Sequence, residues 1–322
     1  MPSTRTQMME EQEELRKDRG AAFSPADLAL LFVAFLWGVS FTVIKDAYRE
    51  IPAVPFVGMR FLLVGSSMIP FLIWNRRYLP RTRKAWTGAL TIGVLGVAGY
   101  QILFSLGLQY TTASKSTLLV ATSPLFTALV VAMLGIDRPR DVQLVGMVVA
   151  LAGVALLTLG DQPTSLLSHK DVLLGDVLTL GAAVATGSGV ALAERYLAGA
   201  DGATVMGVAV VLGSILIQPF AWAQMVRFPW QQVSTQAWLE MFYAAFLAGS
   251  LGYILWYRNI PRIGALRGSL YGFLIPLIGV VTAVVALSDR LTLVQGLGAL
   301  FVLFGVAMAR GWLGLLIRQV RF

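Results

Sequence analysis

Apolar stretches of about twenty residues, each closed by charged or turn-forming positions, follow one another along most of this chain. They occupy residues 27–45, 54–74, 86–109, 113–136, 140–159, 173–193, 203–224, 236–257, 265–288 and 292–312. A helix of that length crosses about 30 Å of hydrocarbon, so the pattern predicts an all-α integral membrane protein with ten transmembrane helices. Just before the first run, Ser24, Pro25 and Asp27 suit an N-cap, a first-turn proline and an acidic third position. Residues 1–26 are otherwise polar, from Glu10 through Arg19, and are expected to stay disordered because they bury too little apolar surface to fold alone. They lack the short apolar core and cleavage site of a secretory signal, so the first run is expected to remain in the protein.

The second half repeats the first at an offset of 152 residues. Ile102 and Leu103 recur as Ile254 and Leu255, Ala113 as Ala265, Pro124 and Leu125 as Pro276 and Leu277, and Gly153 as Gly305. Orientation follows from arginine and lysine in short loops, which stay on the cytoplasmic side. Arg76, Arg77, Arg81, Arg83 and Lys84 form the densest basic loop, and Arg138, Arg140, Arg195, Arg258, Arg262 and Arg310 fall on its side if every run crosses. Both termini are therefore predicted to be cytoplasmic. Five runs separate equivalent positions, an odd number, so equivalent helices cross in opposite directions. The expected fold is two inverted five-helix repeats, residues 27–160 and 173–312, with an extracytoplasmic linker at 161–172 and a cytoplasmic tail at 313–322. Such a repeat places a pseudo-twofold axis in the membrane plane and a site near the midplane between the halves.

Composition agrees with this reading: only 13% of residues are charged and mean hydropathy is +0.74, against about 25% charged in soluble domains. The net charge of +8 is spread over short connections rather than gathered on one face, which argues against nucleic acid as a partner. Absence of cysteine excludes disulfides, iron–sulfur clusters and thiolate sites. The sole histidine, His169, lies beside Lys170 and Asp171 and reads as a solvated loop residue. No nucleophile with a base and no ligand cluster stands in the runs, so no catalytic residue, metal or cofactor is expected, and the chain does not read as an enzyme.

Polar and aromatic positions inside the runs carry the functional signal. In the third run, Gln101, Ser105 and Gln109 recur every four residues beside Tyr100 and Phe104, giving one polar-aromatic face. The eighth run answers with Tyr253, Trp256 and Tyr257, and Phe104 maps onto Trp256. Tyr257 is assigned to headgroup depth and the others to the interior. With Trp37, Ser123 and Thr186 from the first, fourth and sixth runs, the predicted substrate cavity comprises Trp37, Tyr100, Gln101, Phe104, Ser123, Thr186, Tyr253 and Trp256. That mixture of aromatic surface and a few hydrogen-bonding groups is typical of small-molecule sites. Pro124 and Pro276 each remove one helical hydrogen bond, freeing the carbonyls of Val120 and Gly272, and predict paired helix kinks. Lys115 and Arg267, related by the offset, fall in end turns near opposite mouths of the path, with two readings open, holding a carboxylate or snorkelling toward the interface. No carboxylate reads as central to a run, which favours facilitated diffusion, or coupling through unusual groups, over proton exchange through a buried acid.

Several of these residues also form a family pattern: Trp37, Gly38, Ser40 and Phe41 in the first run, Arg60 and Phe61 in the second, and the mid-run prolines. On them the chain resembles the drug/metabolite transporter superfamily, specifically its EamA-type ten-helix members, over residues 27–310. It departs from that pattern at Asp137 and Asp289, where many members carry glutamate. The resemblance implies a multi-pass transporter of the inner (plasma) membrane that moves small organic metabolites by alternating access, similar to bacterial aromatic amino acid exporters. Its partners would be a small-molecule substrate and the lipid bilayer. A monomer is implied, with a homodimer as the alternative, since one chain holds both halves. Two other readings stay open on the residues themselves. One is efflux of hydrophobic drugs or cations held by cation–π contacts. The other is a scaffold or receptor without a path, in which Gln101 and Tyr253 would be buried in helix contacts with no cavity between the halves.

Overall fold

A computed structural model describes residues 24–135, 141–159, 169–194 and 201–309, and among them it contains helices and no strands. The expectations for the first 23 residues, for the charged turn at Asp137 and Arg138 and for the C-terminal tail lie outside the described residues. The helices are α1 Pro25–Ala47, α2 Ala53–Trp74, α3 Arg83–Tyr110, α4 Ala113–Met133, α5 Asp141–Leu159, α6 His169–Glu194, α7 Gly202–Arg227, α8 Thr235–Ile263, α9 Tyr271–Leu287 and α10 Leu293–Ala309. Seven of these contain a stretch long and apolar enough to cross a membrane; those of α5, α9 and α10 are apolar but shorter. His169, Lys170 and Asp171 belong to the first turn of α6 and not to a loop, Asp171 lying where a carboxylate meets the positive end of the helix dipole.

The first helix begins as its sequence dictates. Ser24 Oγ accepts from the Asp27 amide at 3.3 Å and the Ser24 amide donates to Asp27 Oδ2 at 2.8 Å, a reciprocal capping box that satisfies two otherwise orphaned donors. Large apolar side chains such as Phe35, Ile73, Val148, Val285 and Leu300 face outward, whereas Arg60, Gln101, Lys115 and Asp176 are buried. This inversion of the soluble pattern is what a hydrocarbon surround requires, since polar groups must find partners inside the protein.

Small residues set the helix pairs. A methyl group added at Gly58 would lie 2.6 Å from Ala221 Cβ, and one at Gly65 2.8 Å from Ser214 Cβ. Contacts that ascend along α2 thus descend along α7, and the two helices are antiparallel. A methyl at Gly153 would lie 2.7 Å from the Gly298 carbonyl, and one at Gly305 2.6 Å from that of Gly146, so α5 and α10 also pack antiparallel at backbone distance.

The remaining helices are exchanged between the halves. α6 packs on α3 and α4, where Gly187 meets Ser123 and Phe126; α1 packs on α8 and α9, where Gly38 meets Ile275 and Ile278. Glu50, Asp46 and Leu36 contact Ser234, Gln236 and Tyr243 in turn, so α8 runs antiparallel to α1. Asp27 and Thr42 contact Tyr271 and Thr282, so α9 runs parallel to it. The chain therefore reverses between them, although its backbone stays helical from Gly252 to Leu287, and Pro276 lies within that helix without interrupting it. Pro124 behaves differently: α4 breaks at Ala121 and Thr122, and Pro124 opens its second segment, Ser123–Met133.

Lys115 corrects the sequence reading. It does not snorkel; it is 1% exposed and forms an ion pair with Asp176 of α6, whose other oxygen accepts from Thr111 Oγ1 at 2.6 Å. The side chain of Arg267 lies outside the described residues.

Candidate cavity between the helices

At the centre, α3 and α8 share a local departure from α-helical geometry. Ile92–Gly99 in α3 and Tyr243–Leu251 in α8 widen into π-helical turns at equivalent positions of the repeat. Wide turns tilt carbonyls off the helix axis and recur at functional sites. In α8 those carbonyls have side-chain partners. Arg60 Nε donates to the Ala244 carbonyl at 3.0 Å, and Trp37 Nε1 donates to the Ala248 carbonyl at 2.7 Å. Gly252 leaves room for this contact, since a methyl there would lie 2.7 Å from Trp37 Nε1.

These contacts frame a cavity of about 230 Å³ whose lining includes all eight residues predicted from the sequence. Trp37 is packed at 4.9 Å on Trp256 and edge-on to Tyr253 at 5.9 Å. Tyr100 stacks on Phe104 at 5.6 Å, and Phe104 meets Phe41 edge-on at 5.3 Å. Such offset and edge-to-face pairs lock flat apolar walls in place. Gln101 and Tyr253, equivalent positions of the repeat, lie side by side, with Gln101 Nε2 donating to the Tyr253 hydroxyl at 3.4 Å. Ser123 and Thr186 line the wall at the α4–α6 side.

Beyond Ser123 and Thr186 the cavity continues into a second space of about 500 Å³, reaching Thr127, Val131 and Gln143. Pro124 lines this extension, at the break in α4; Pro276 lines neither space. Trp256 and Tyr257 belong to both. Tyr257 is therefore a wall residue rather than a member of an interfacial belt, which its place at the end of an apolar run had suggested.

The charged lining residue absent from the predicted cavity is Arg60. It is 5% exposed, its Nη1 donates to Gln101 Oε1 at 3.3 Å, and its guanidinium lies 5.3 Å from the Phe61 ring centroid. The signal was in the sequence: Arg60 is the eighth residue of the 22-residue α2, too deep for a side chain that only reaches back to the surface. Gln109, on the same face of α3 as Gln101, is used elsewhere, accepting from the Ala53 amide at 3.1 Å. Thr127 bonds the Gly187 carbonyl at 3.1 Å, and Thr179 is buried at the α3–α6 contact. Among the described residues no group of three or more His, Cys, Asp or Glu could hold a metal ion.

Known proteins resemble this chain along nearly its whole length. The model of the EamA-like transporter family matches residues 24–159 and 173–311. A protein of Archaeoglobus fulgidus named an uncharacterized transporter is 27% identical over 290 residues, 88% of this chain and 96% of the relative. Proteins of Escherichia coli and Salmonella typhimurium, each named a probable amino-acid metabolite efflux pump, are 28% identical over 286 residues, 87% of this chain and 92% of each relative. One solved crystal structure aligns with a TM-score of 0.60 at 17% identity, covering 89% of this chain and 96% of its own, a likeness of fold. The chain belongs to the EamA-like transporter family, within the drug/metabolite transporter superfamily, and is a multi-pass membrane transporter rather than an enzyme.

Proposed function

We propose that this EamA-family transporter moves small organic metabolites, amino acids first among them and aromatic ones included, across the inner membrane. The observation that carries this reading is the central cavity, walled by both halves and combining aromatic rings with a few fixed hydrogen-bonding groups. The central space of about 230 Å³ is below the roughly 300–1,000 Å³ of drug-sized sites and suits a small solute, and the 500 Å³ extension leaves room for its passage. The relatives named as amino-acid metabolite efflux pumps support the same class. A scaffold without a path would have no use for such a space.

In this reading the chain crosses the membrane ten times, in two inverted repeats near 27–160 and 173–312, with both termini cytoplasmic and one chain sufficient for transport. The antiparallel packing of α2 on α7 and of α5 on α10 supports it, because an odd number of crossings per repeat makes equivalent helices oppose one another. The cavity's extension reaches Val131 in the last turns of α4 and Gln143 in the first turn of α5, the ends of those helices assigned to the cytoplasmic side, so solute enters from within. Alternating access follows from rocking of the halves about α2–α7 and α5–α10, and the break ahead of Pro124 lets the lower half of α4 bend.

Counterflow of labelled amino acids and related metabolites into liposomes holding the purified protein tests the proposal. Uptake of at least one solute, lowered by Trp37→Ala and Gln101→Ala, is the expected result. A panel in which nothing moves, with both variants indistinguishable from the parent in cells, would sink it. The same vesicles with and without an imposed proton gradient test facilitated diffusion, which strict dependence on the gradient would overturn.

A further inference from the structure

Arg60 is a buried cation whose charge no described residue answers. Its hydrogen bonds go to a backbone carbonyl and a side-chain amide, both neutral, through Nε and Nη1. The ionisable groups acting on it are the phenols of Tyr253, Tyr48 and Tyr100, and among the described residues no carboxylate lies within ion-pair distance of it. Lone buried charges are costly and are normally paired. The neutral contacts hold Nε and Nη1 and so orient the planar fork, which lines the cavity beside Tyr100, Gln101 and Tyr253.

We propose that Arg60 is the anion-binding group of the central cavity, and that the solutes carried are carboxylates on an apolar or aromatic body. This inference rests on the transport reading above and narrows its substrate class. A guanidinium matches a carboxylate in shape and charge and grips it through short, charge-assisted hydrogen bonds. The Tyr253 hydroxyl and Gln101 amide stand beside that position to complete the head-group site, while Trp37, Phe104 and Trp256 hold the remainder of the solute. The repeat does not duplicate the device. Ahead of the stretch where the offset is 152 it shortens to 149: Gly38 packs on Ile275 and Ile278 as Gly187 packs on Ser123 and Phe126, and Gly65 meets Ser214, which sets Ala209 opposite Arg60. The described lining therefore has one cationic, anion-binding end, and a free amine or quaternary cation meets repulsion there despite the aromatic walls.

The test uses three probes that share a phenyl ring, 3-phenylpropionate, phenylalanine and phenethylamine, with binding to the purified full chain in nanodiscs measured by calorimetry. In the parent protein the two carboxylates are expected to bind at least about tenfold more tightly than the amine, the value of one charged hydrogen-bonded contact in a dry site. Arg60→Gln is expected to erase that preference and Arg60→Lys to keep part of it. A residue that only ties α2 to α8 would weaken all three probes alike. Equal or tighter binding of the amine by the parent, or an unchanged preference in a folded Arg60→Gln protein, would overturn the proposal, and the parent comparison stands even if that variant fails to fold. If none of the three binds, the charge of the solutes moved in counterflow decides: carboxylates uphold the inference, cations or neutral solutes alone reject it. No movement of any solute would instead remove the transport reading on which it rests.

Discussion

Among the described residues two cations are buried, and their surroundings differ in one respect. Lys115 of α4 is 1% exposed and faces Asp176 of α6, which Thr111 also binds. Arg60 of α2 is 5% exposed and faces a carbonyl, an amide and phenols. A charge with its counter-ion inside the fold has nothing left to offer a ligand, and its role is to join two helices. A charge whose neighbours are neutral, on the wall of a cavity, keeps its attraction for whatever enters. Proximity to a counter-ion, not burial, separates a structural charge from a binding one.

The largest expected effect comes from breaking the paired site. Lys115→Met leaves the Asp176 carboxylate buried without its cation and is expected to cost about 3–5 kcal/mol, read as a lowered midpoint in denaturant or heat, with most of the loss restored by Lys115→Met combined with Asp176→Leu. A single variant as stable as its parent would end the contrast. Thr111→Val removes the hydroxyl donor to Asp176 while keeping shape, and should cost about 2 kcal/mol in the same melts. Arg60→Gln reverses the pattern: removing a charge the fold does not pair offsets its two lost hydrogen bonds, so stability should move by about 1 kcal/mol or less while carboxylate binding collapses. A variant that loses stability as Lys115→Met does would make Arg60 a joint rather than a binder.

The smallest effect belongs to an exposed charge. Glu50, in the connection between α1 and α2, accepts from the Ser234 hydroxyl at 2.6 Å and amide at 2.8 Å, and these bonds hold its carboxyl below the usual glutamate range. A carboxyl lowered in the folded state adds stability above its unfolded value of about 4.3, and that share is lost as the pH falls through the lowered folded value. Melts of Glu50→Gln and parent should therefore differ slightly at neutral pH and converge in acid, with salt shrinking the difference. A constant gap across that range would mean that the contact acts through packing and not charge.

Much of the cavity was legible because helical spacing places Tyr100, Gln101 and Phe104 on neighbouring positions and the repeat points to Tyr253 and Trp256. Arg60 was noted only for the family pattern and not for the cavity, because its neighbours in sequence are apolar and its contacts, Ala244 and Gln101, lie 184 and 41 residues away. Lys115 was placed at a mouth of the path for a similar reason. Third in its run it looks terminal, yet α6 closes over it and brings Asp176 from 61 residues away. Tyr257 was misplaced by the same logic of distance from a run's end. The π-helical turns carry no signal in periodicity, since one extra residue per turn barely disturbs an apolar pattern, and the two prolines look alike in sequence although only Pro124 sits at a break.

By itself, the sequence determined the helical, membrane-embedded class, the duplication, and which positions of each helix share a polar face, because these depend only on residue type and on a period of 3.6 along one segment. Tertiary structure alone decided which faces oppose one another, which buried cation finds an anion, and which carbonyls turn toward a side chain. Those outcomes depend on helix pairs joined across tens to hundreds of residues, and on an electrostatic balance in which a few ångströms between charges separate a joint from a binding site.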